Sequence, residues 1–333
     1  MNSAPTSREK GDEPRRAVIT GAAGFAGSHL AECLLERGWE VFGTDRPGIS
    51  RNNFESLGRA FKFHEFDVLD SRGVETLLDL ARPDVVFHLA AVAYVPYADH
   101  YPSLVFDINA KAVLALADSL FRLAPSARLV LVSSSQVYGR VEAERMPLGE
   151  DCPVAPVNIY GLSKLCAEEI VRSWQRVGRL DGVIVRPFNH FGPRQRPEFV
   201  ISDWARQIAR IELGEVAPVL RVGNLEAARD FTGVRDMVKA YLRAAEKGKS
   251  GEVYNVCSGR AHPVGEILEL LLGMSRVPIE VKEDTRRLRS GEIPLVVGDC
   301  SRFRRDTDWE PEQSLGEGLE KTLQYWRRRL ARS

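Results

Sequence analysis

Tyr160 and Lys164 stand four residues apart in the run Asn158-Ile159-Tyr160-Gly161-Leu162-Ser163-Lys164. At the head of a helix, that spacing projects both side chains from one face. A phenol titrating near ~10 is a poor acid–base group at neutral pH, but an ammonium one turn away favours phenolate and moves the pKa toward use. Such a pair can exchange one proton with a substrate oxygen. Upstream, the serines of Ser133-Ser134-Ser135-Gln136-Val137-Tyr138-Gly139 end an apolar run. Polar residues at the carboxyl end of a parallel strand are where catalytic groups gather in open α/β sheets, although they also start ordinary loops. A Tyr and a Lys at helical spacing are often mere surface neighbours, so the rest of the chain must supply their context.

That context begins with the stretch from Val18 to Leu30. A strand over 17–20 runs into a turn with Gly21, Gly24 and Gly27, and an amphipathic run follows from Phe25. Gly21 permits a tight turn, Gly24 lets backbone N–H groups approach a pyrophosphate, and Gly27 lets the helix lie close on the strand. The helix start then faces the anion. A second strand over 39–44 ends in Asp45 and Arg46. This is about the ~20 residues at which an acidic side chain meets the adenosine ribose in such folds. Asp45 favours NAD, because a carboxylate accepts from the free 2'-hydroxyl and repels a 2'-phosphate; Arg46 can clamp that phosphate, which keeps NADP open. A third strand over 61–66 ends in Asp67, which either meets the adenine amino group or caps the next turn. The apolar run 85–91 reads as a strand buried on both faces. Its small Ala90 and Ala91 leave room for the cofactor, and His88 within it reads as a hydrogen-bonded core histidine. A helix over 104–123 carries Asn109 and Lys111, and a buried strand over 128–133 delivers the serines.

With 333 residues the chain can bury one large or two medium cores. Its 46 basic and 46 acidic residues cancel, so nothing global attracts nucleic acid or an anionic membrane surface. The basic stretch 315–330 reads as a solvated helix face. Five scattered cysteines without a Cys-x-x-Cys pair indicate neither zinc nor a disulfide framework, and no metal is expected. Reduced thiols and a polar start at residues 1–14, expected to be a disordered tail, fit a cytoplasmic protein. No apolar run approaches the ~18 residues that a membrane span needs.

Taken together, from about residue 16 to about residue 326, the chain resembles the extended short-chain dehydrogenase/reductases, the family of nucleotide-sugar epimerases, dehydratases and reductases. The resemblance implies a doubly wound parallel α/β sheet of seven strands with a smaller C-terminal α/β lobe and the active site in the cleft. The cofactor domain is expected over 15–186 plus about 231–257, and the sugar-nucleotide domain over 187–230 plus about 258–330. By resemblance, Ser134, Tyr160 and Lys164 form the catalytic triad. NAD(P)H is expected to meet Gly21, Gly24, Phe25, Ala26, Asp45, Arg46, Asp67, Val68, Leu89, Ala90, Tyr160 and Lys164. The run Gly223-Asn224-Leu225-Glu226-Ala227-Ala228-Arg229-Asp230 is similar to a segment of GDP-sugar dehydratases and ketosugar reductases. It points to Asn224 and Arg229 as nucleotide and diphosphate ligands, Arg229 through its planar two-donor fork. Ser135, Gln136, Asn189, Val200, Arg289 and Glu292 complete the implied substrate set, although Ser290 and Gly291 depart from the family's loop after the arginine. Dimerisation through the 104–123 helix and the helix beginning at Tyr160 is likewise implied.

The related dehydratases carry Asp-Glu, or at least Glu, immediately after the catalytic Ser or Thr, where this chain has Ser135 and Gln136. An amide cannot serve as that general base. The related epimerase-reductases place a cysteine at the position of Gln136 and a histidine at that of Arg194. What remains needs only a hydride and one proton. The expected reaction is therefore reduction of the 4-keto group of GDP-4-dehydro-6-deoxy-D-mannose to GDP-D-rhamnose. The alternatives are a 4-epimerase with retained NAD, a GDP-mannose 4,6-dehydratase, and a non-catalytic dinucleotide sensor.

Overall fold

The computed structural model describes residues 13–287 and 293–331. Most of the expected tail and both Arg289 and Glu292 lie outside the described residues.

The first half alternates strand and helix: β1 (Arg16–Thr20), α1 (Phe25–Leu35), β2 (Glu40–Asp45), β3 (Phe61–Glu65), α2 (Ser71–Ala81) and β4 (Val85–His88). Short α3 (Val95–His100) and α4 (Pro102–Phe106) precede α5 (Ala112–Leu123), β5 (Arg128–Val132), α6 (Ile159–Arg176) and β6 (Asp181–Pro187). The single helix expected over 104–123 is interrupted by a π-helical turn at Asp107–Lys111. The strand expected over 85–91 stops at His88, which leaves Leu89 to Ala91 as an open edge. Beyond β6 come β7 (Asn189–Phe191), α7 (Val200–Glu212), β8 (Val219–Val222), β9 (Ala228–Gly233), α8 (Val234–Lys247) and β10 (Val253–Val256). The chain closes with β11 (Ala261–Pro263), α9 (Val264–Gly273), β12 (Glu280–Glu283), β13 (Leu295–Val296), α10 (Ser301–Thr307) and α11 (Leu315–Leu330).

Seven parallel strands form the main sheet in the order β10-β6-β5-β4-β1-β2-β3. Successive side chains of a strand point to opposite faces, so a sheet covered on both sides needs unbroken apolar strands. Ala17, Ile19, Phe87, Val130 and Val185 enter the core shared with α1 and α8, while Val18, Val86, Leu129, Leu131 and Ile184 enter the core beneath α2, α5 and α6. Each such fully buried Val, Leu, Ile or Phe contributes about 1.5–3 kcal/mol relative to exposure. The chain winds outward from β1 to β3 and then returns to β4 on the other side of β1. That reversal opens a crevice at the carboxyl ends of β1 and β4, where open α/β sheets bind ligands.

A second core gathers Trp204, Ile208, Leu220, Val222, Ile267, Leu271, Leu319, Leu323 and Trp326 from α7, β8, α9 and α11. Its strands are short. β9 pairs with β7, β11 and β13, and β8 pairs with β12. The 258–330 stretch does not all pack in this lobe: Cys300, Phe303 and Trp309 join the core of the large sheet, with the Phe303 ring against Tyr254 and Trp309. Among the described residues no helix is long and apolar enough to cross a membrane.

Candidate active site

The glycine turn sits at the crevice. Gly21 has φ +71°, and a Cβ on it would stand 2.7 Å from the Ala90 nitrogen; one on Gly27 would stand 2.2 Å from the Gly21 carbonyl oxygen. Only glycine lets β1, the turn and the strand end after β4 approach this closely. α1 begins after Gly24 with no side chain capping its first N–H groups, so Phe25 and Ala26 present backbone donors to the crevice. Asp45 lies across the turn, its carboxylate accepting from the Ala23 N–H at 3.2 Å and the Arg46 N–H at 2.9 Å. Burial pushes the Asp45 carboxyl up, and the two N–H donors act against that. Asp67 is close enough to add negative field there. One Asp67 oxygen accepts from Leu69 N–H at 2.9 Å, a turn cap, with Val68 buried beside it. These are the features of a cradle for a nicotinamide dinucleotide: uncapped helix donors for a diphosphate, and an acid at the end of β2 for a ribose.

The triad side chains converge from two elements. Ser134 starts a 3₁₀ turn over Ser135–Tyr138, its hydroxyl accepting from the Gln136 N–H at 3.2 Å. Tyr160 and Lys164 come from the first turn and a half of α6. The helix start is fixed twice, by Asn158 Oδ1 accepting from Gly161 N–H at 2.8 Å and by Asp99 accepting from Ile159 N–H at 3.1 Å. A Cβ on Gly161 would stand 2.5 Å from the Gln136 carbonyl oxygen, so this glycine seats α6 directly on the serine turn. The consequence is a hydrogen bond between the Tyr160 and Ser134 side chains.

Lys164 is 2% exposed and donates to the Val132 carbonyl at 2.7 Å. Burial pulls it down to about 8, with the Glu168 carboxylate acting to raise it. Tyr160 differs from the sequence expectation. Burial pushes its phenol up and the Ser134 contact opposes this, while the ammonium one turn away donates one of its three N–H groups to Val132. A phenol held protonated at neutral pH is a proton donor rather than a base. His88 is buried, its Nδ1 2.9 Å from the Thr20 hydroxyl, and burial pushes it down to about 3. It is neutral, in keeping with a core role.

Gln136 is held from the α6 side, its side-chain oxygen accepting from Asn158 Nδ2 at 3.1 Å. Arg194 turns away toward α1, where its guanidinium lies 3.2 Å from Glu32. Asn189 opens β7 on the lobe side, and Val200 begins α7 with 38% of its surface exposed. The Tyr94 ring meets the Phe199 ring edge-on, joining the loop after β4 to the start of α7. In the 223–230 segment, Asn224 Oδ1 accepts from Glu226 N–H at 2.9 Å, and Arg229 donates to the carbonyls of Ala228 and Pro294 at 2.9 and 3.3 Å. These two lie in the small lobe. Several supporting residues carried no sequence role. Asn109, in the π turn, exchanges hydrogen bonds with Val92 and donates to Ser163 Oγ at 2.9 Å, and Asn158 was visible only as a polar residue before a helix. Among the described residues no three His, Cys, Asp or Glu side chains are grouped to hold a metal. A surface hollow of about 520 Å³ lined by Arg16, Glu40, Phe42 and Lys62 lies at the start of β1, the wrong edge of the sheet for this chemistry.

The chain is similar to known proteins along nearly its whole length. The chain is 35% identical to GDP-6-deoxy-D-mannose reductase of Pseudomonas aeruginosa over 95% of its own length and 98% of that protein. It is 29% identical to GDP-mannose 4,6 dehydratase of Cricetulus griseus, over 97% and 95% of the two chains. A solved structure of RMD from Pseudomonas aeruginosa complexed with NADPH superposes with a TM-score of 0.82 at 33% identity, covering 94% of this chain and 99% of that one. The family described as GDP-mannose 4,6 dehydratase matches residues 18–322, and the chain belongs to that family.

Proposed function

We propose that this protein reduces the 4-keto group of GDP-4-dehydro-6-deoxy-D-mannose to give GDP-D-rhamnose. It is an NAD(P)-dependent enzyme of nucleotide-sugar metabolism, and the reduced nicotinamide supplies the hydride for carbon 4 when bound in the cradle. Tyr160 gives its proton to the carbonyl oxygen, and Ser134 hydrogen-bonds that oxygen where negative charge develops. Lys164 fixes the nicotinamide ribose and keeps Tyr160 in range. Asn189, Val200, Asn224 and Arg229, with Arg289 and Glu292, hold the GDP-sugar in the small lobe.

The observation that carries the reading is what surrounds the triad. Gln136, an amide tied to Asn158, occupies the place where dehydration needs a carboxylate, and Arg194 is paired with Glu32. The buried Glu168 is bonded to Arg186, and His88 is neutral. None of these four is free to act as a second proton carrier, which favours a chemistry of hydride plus one proton. The identity to the Pseudomonas reductase supports the same choice. Purified protein given NADPH or NADH and the ketosugar is expected to lose the cofactor's near-ultraviolet absorbance in proportion to substrate, with product NMR separating the rhamno from the talo epimer. No substrate-dependent oxidation of either cofactor would sink the proposal. A 4-epimerase would instead carry NAD through purification.

The protein is also proposed to act as a homodimer in the cytoplasm. Leu104, Leu114, Phe121 and Leu162 leave 40–47% of their surfaces exposed on α4, α5 and α6, and Phe121 shares a ring contact with Trp174 of α6. Large exposed apolar patches on soluble proteins mark interaction surfaces, which is what these helices would supply to a second copy.

A further inference from the structure

A bidentate ion pair lies behind the triad. Glu168 is 0% exposed and Arg186 1%, and Arg186 donates from Nε to Oε1 at 2.9 Å and from Nη2 to Oε2 at 2.6 Å. A buried pair of this sort can often be replaced by apolar residues without loss of stability, so its presence asks for another use. Its surroundings supply one. Ser133, one residue before Ser134, donates from Oγ to Glu168 Oε1, while Lys164 donates to the carbonyl of Val132, one residue before Ser133. Glu168 and Lys164 are four apart on α6, so the helix grips the end of β5 at two consecutive residues. Arg186 also donates to the Tyr138 hydroxyl at 3.1 Å, and that hydroxyl donates to Asn255 at 2.8 Å, which fixes the far end of the serine turn.

We propose that Glu168 is a positioning residue for the proton transfer: it holds the Ser134 strand end in register with the Tyr160–Lys164 helix and supplies the negative charge that faces the Lys164 ammonium. The proposal rests on the catalytic reading of Ser134, Tyr160 and Lys164. The titratable groups whose charge interacts with Lys164 are Glu168 on its own helix and His88 on β4, with Arg186 on β6 behind Glu168. Of these, the one that raises Lys164 against the pull of burial is Glu168.

The test follows kcat/KM for the ketosugar, and NADPH affinity by nucleotide fluorescence, from about pH 6 to about pH 9 in wild type, Glu168→Gln and Glu168→Gln/Arg186→Met. In Glu168→Gln the alkaline limb is expected to move acidward by at least about one pH unit, which is about fivefold lost near pH 8, about tenfold near pH 9 and almost nothing near pH 6. The double variant, which lacks the same carboxylate and leaves no arginine unpaired, is expected to keep the acidward limb. Equal loss at every pH, or a double variant whose limb returns to the wild-type position, overturns the electrostatic role. Ser133→Ala keeps the ion pair, and with it the fold, and is expected to lower kcat with the limb unmoved; an unchanged kcat or a moved limb overturns the register role. The fluorescence titration separates this proposal from the substrate assignment. A wild type that binds NADPH but leaves the ketosugar untouched refutes the substrate, while the Glu168→Gln shift in NADPH binding still decides the role of Glu168.

Discussion

Replacing Tyr160 with Phe removes one oxygen from a site where almost everything else stays put. The ring packs against Ala98 and Val105, with Val92, Val95 and Ile159 around it, and those contacts survive the change. The hydroxyl's partner in the described structure is Ser134, so the folded state loses one hydrogen bond, worth about 1 kcal/mol. The chemical step loses its only positioned acid. Positioned proton transfer contributes about 10²–10⁴-fold, or roughly 3–5 kcal/mol of barrier, and water admitted to a buried site is a poor substitute. The expected signature is thus a kcat lower by at least about a hundredfold, with NADPH affinity and KM within about threefold of wild type. Stopped-flow hydride transfer with saturating NADPH and ketosugar, alongside fluorescence titration of NADPH, measures both halves. A variant that keeps more than about a tenth of wild-type kcat, or whose loss lies wholly in KM, would refute the assignment of Tyr160 as proton donor.

Lys164 titrating at about 8 implies that activity is full below that pH and falls above it, since the ammonium is the useful form; His88, held neutral, adds no acidic limb between about pH 5 and about pH 7, and a pH–rate profile checks both signs. Asp45→Asn removes a carboxylate that repels a 2'-phosphate, so kcat/KM for NADPH relative to NADH is expected to rise by about tenfold or more, measured with the two cofactors in parallel. Gly161→Ala drives a Cβ to 2.5 Å from the Gln136 carbonyl, with an expected cost of about 1–3 kcal/mol in denaturant melts and a loss of kcat, whereas Gly316→Ala meets nothing within 4 Å and should do neither. Gln136→Glu keeps an oxygen that can accept from Asn158 while creating a carboxylate beside the triad. It is expected to lower ketosugar reduction and to introduce exchange of the carbon 5 proton with deuterated solvent, read by mass spectrometry.

The large sheet was legible because its strands carry a signal that tertiary context cannot reverse. Buried on both faces, the segments of β1, β4 and β5 had to be continuously apolar, and the glycines at positions 21 and 27 answer to contacts shorter than any side chain allows. The small lobe was harder. β7, β11 and β13 have three, three and two residues, too short for a period of two to register, and what pairs them with β9 is contact across long stretches of chain. The same holds for Cys300 to Trp309, whose Phe303 and Trp309 look like any amphipathic pair until the core of the large sheet is seen to receive them.

In the site, residue types and spacing placed the Tyr160–Lys164 pair on one helix face but misjudged what the pair does to the phenol. The four-residue spacing says that an ammonium is near; it does not say where the ammonium points. Lys164 points at Val132, and burial then governs both groups, raising the phenol and lowering the amine. For a reduction this is the favourable arrangement. The step consumes a proton at the carbonyl oxygen, so the enzyme needs Tyr160 protonated before hydride arrives, and a phenolate waiting in the site would serve the opposite direction. On the proposed reading two tasks that the spacing alone merges are separated: Tyr160, whose phenol burial pushes up, would carry the proton, and the charge of Lys164, faced by Glu168, would serve the ribose and the oxygen that becomes negative as the proton leaves.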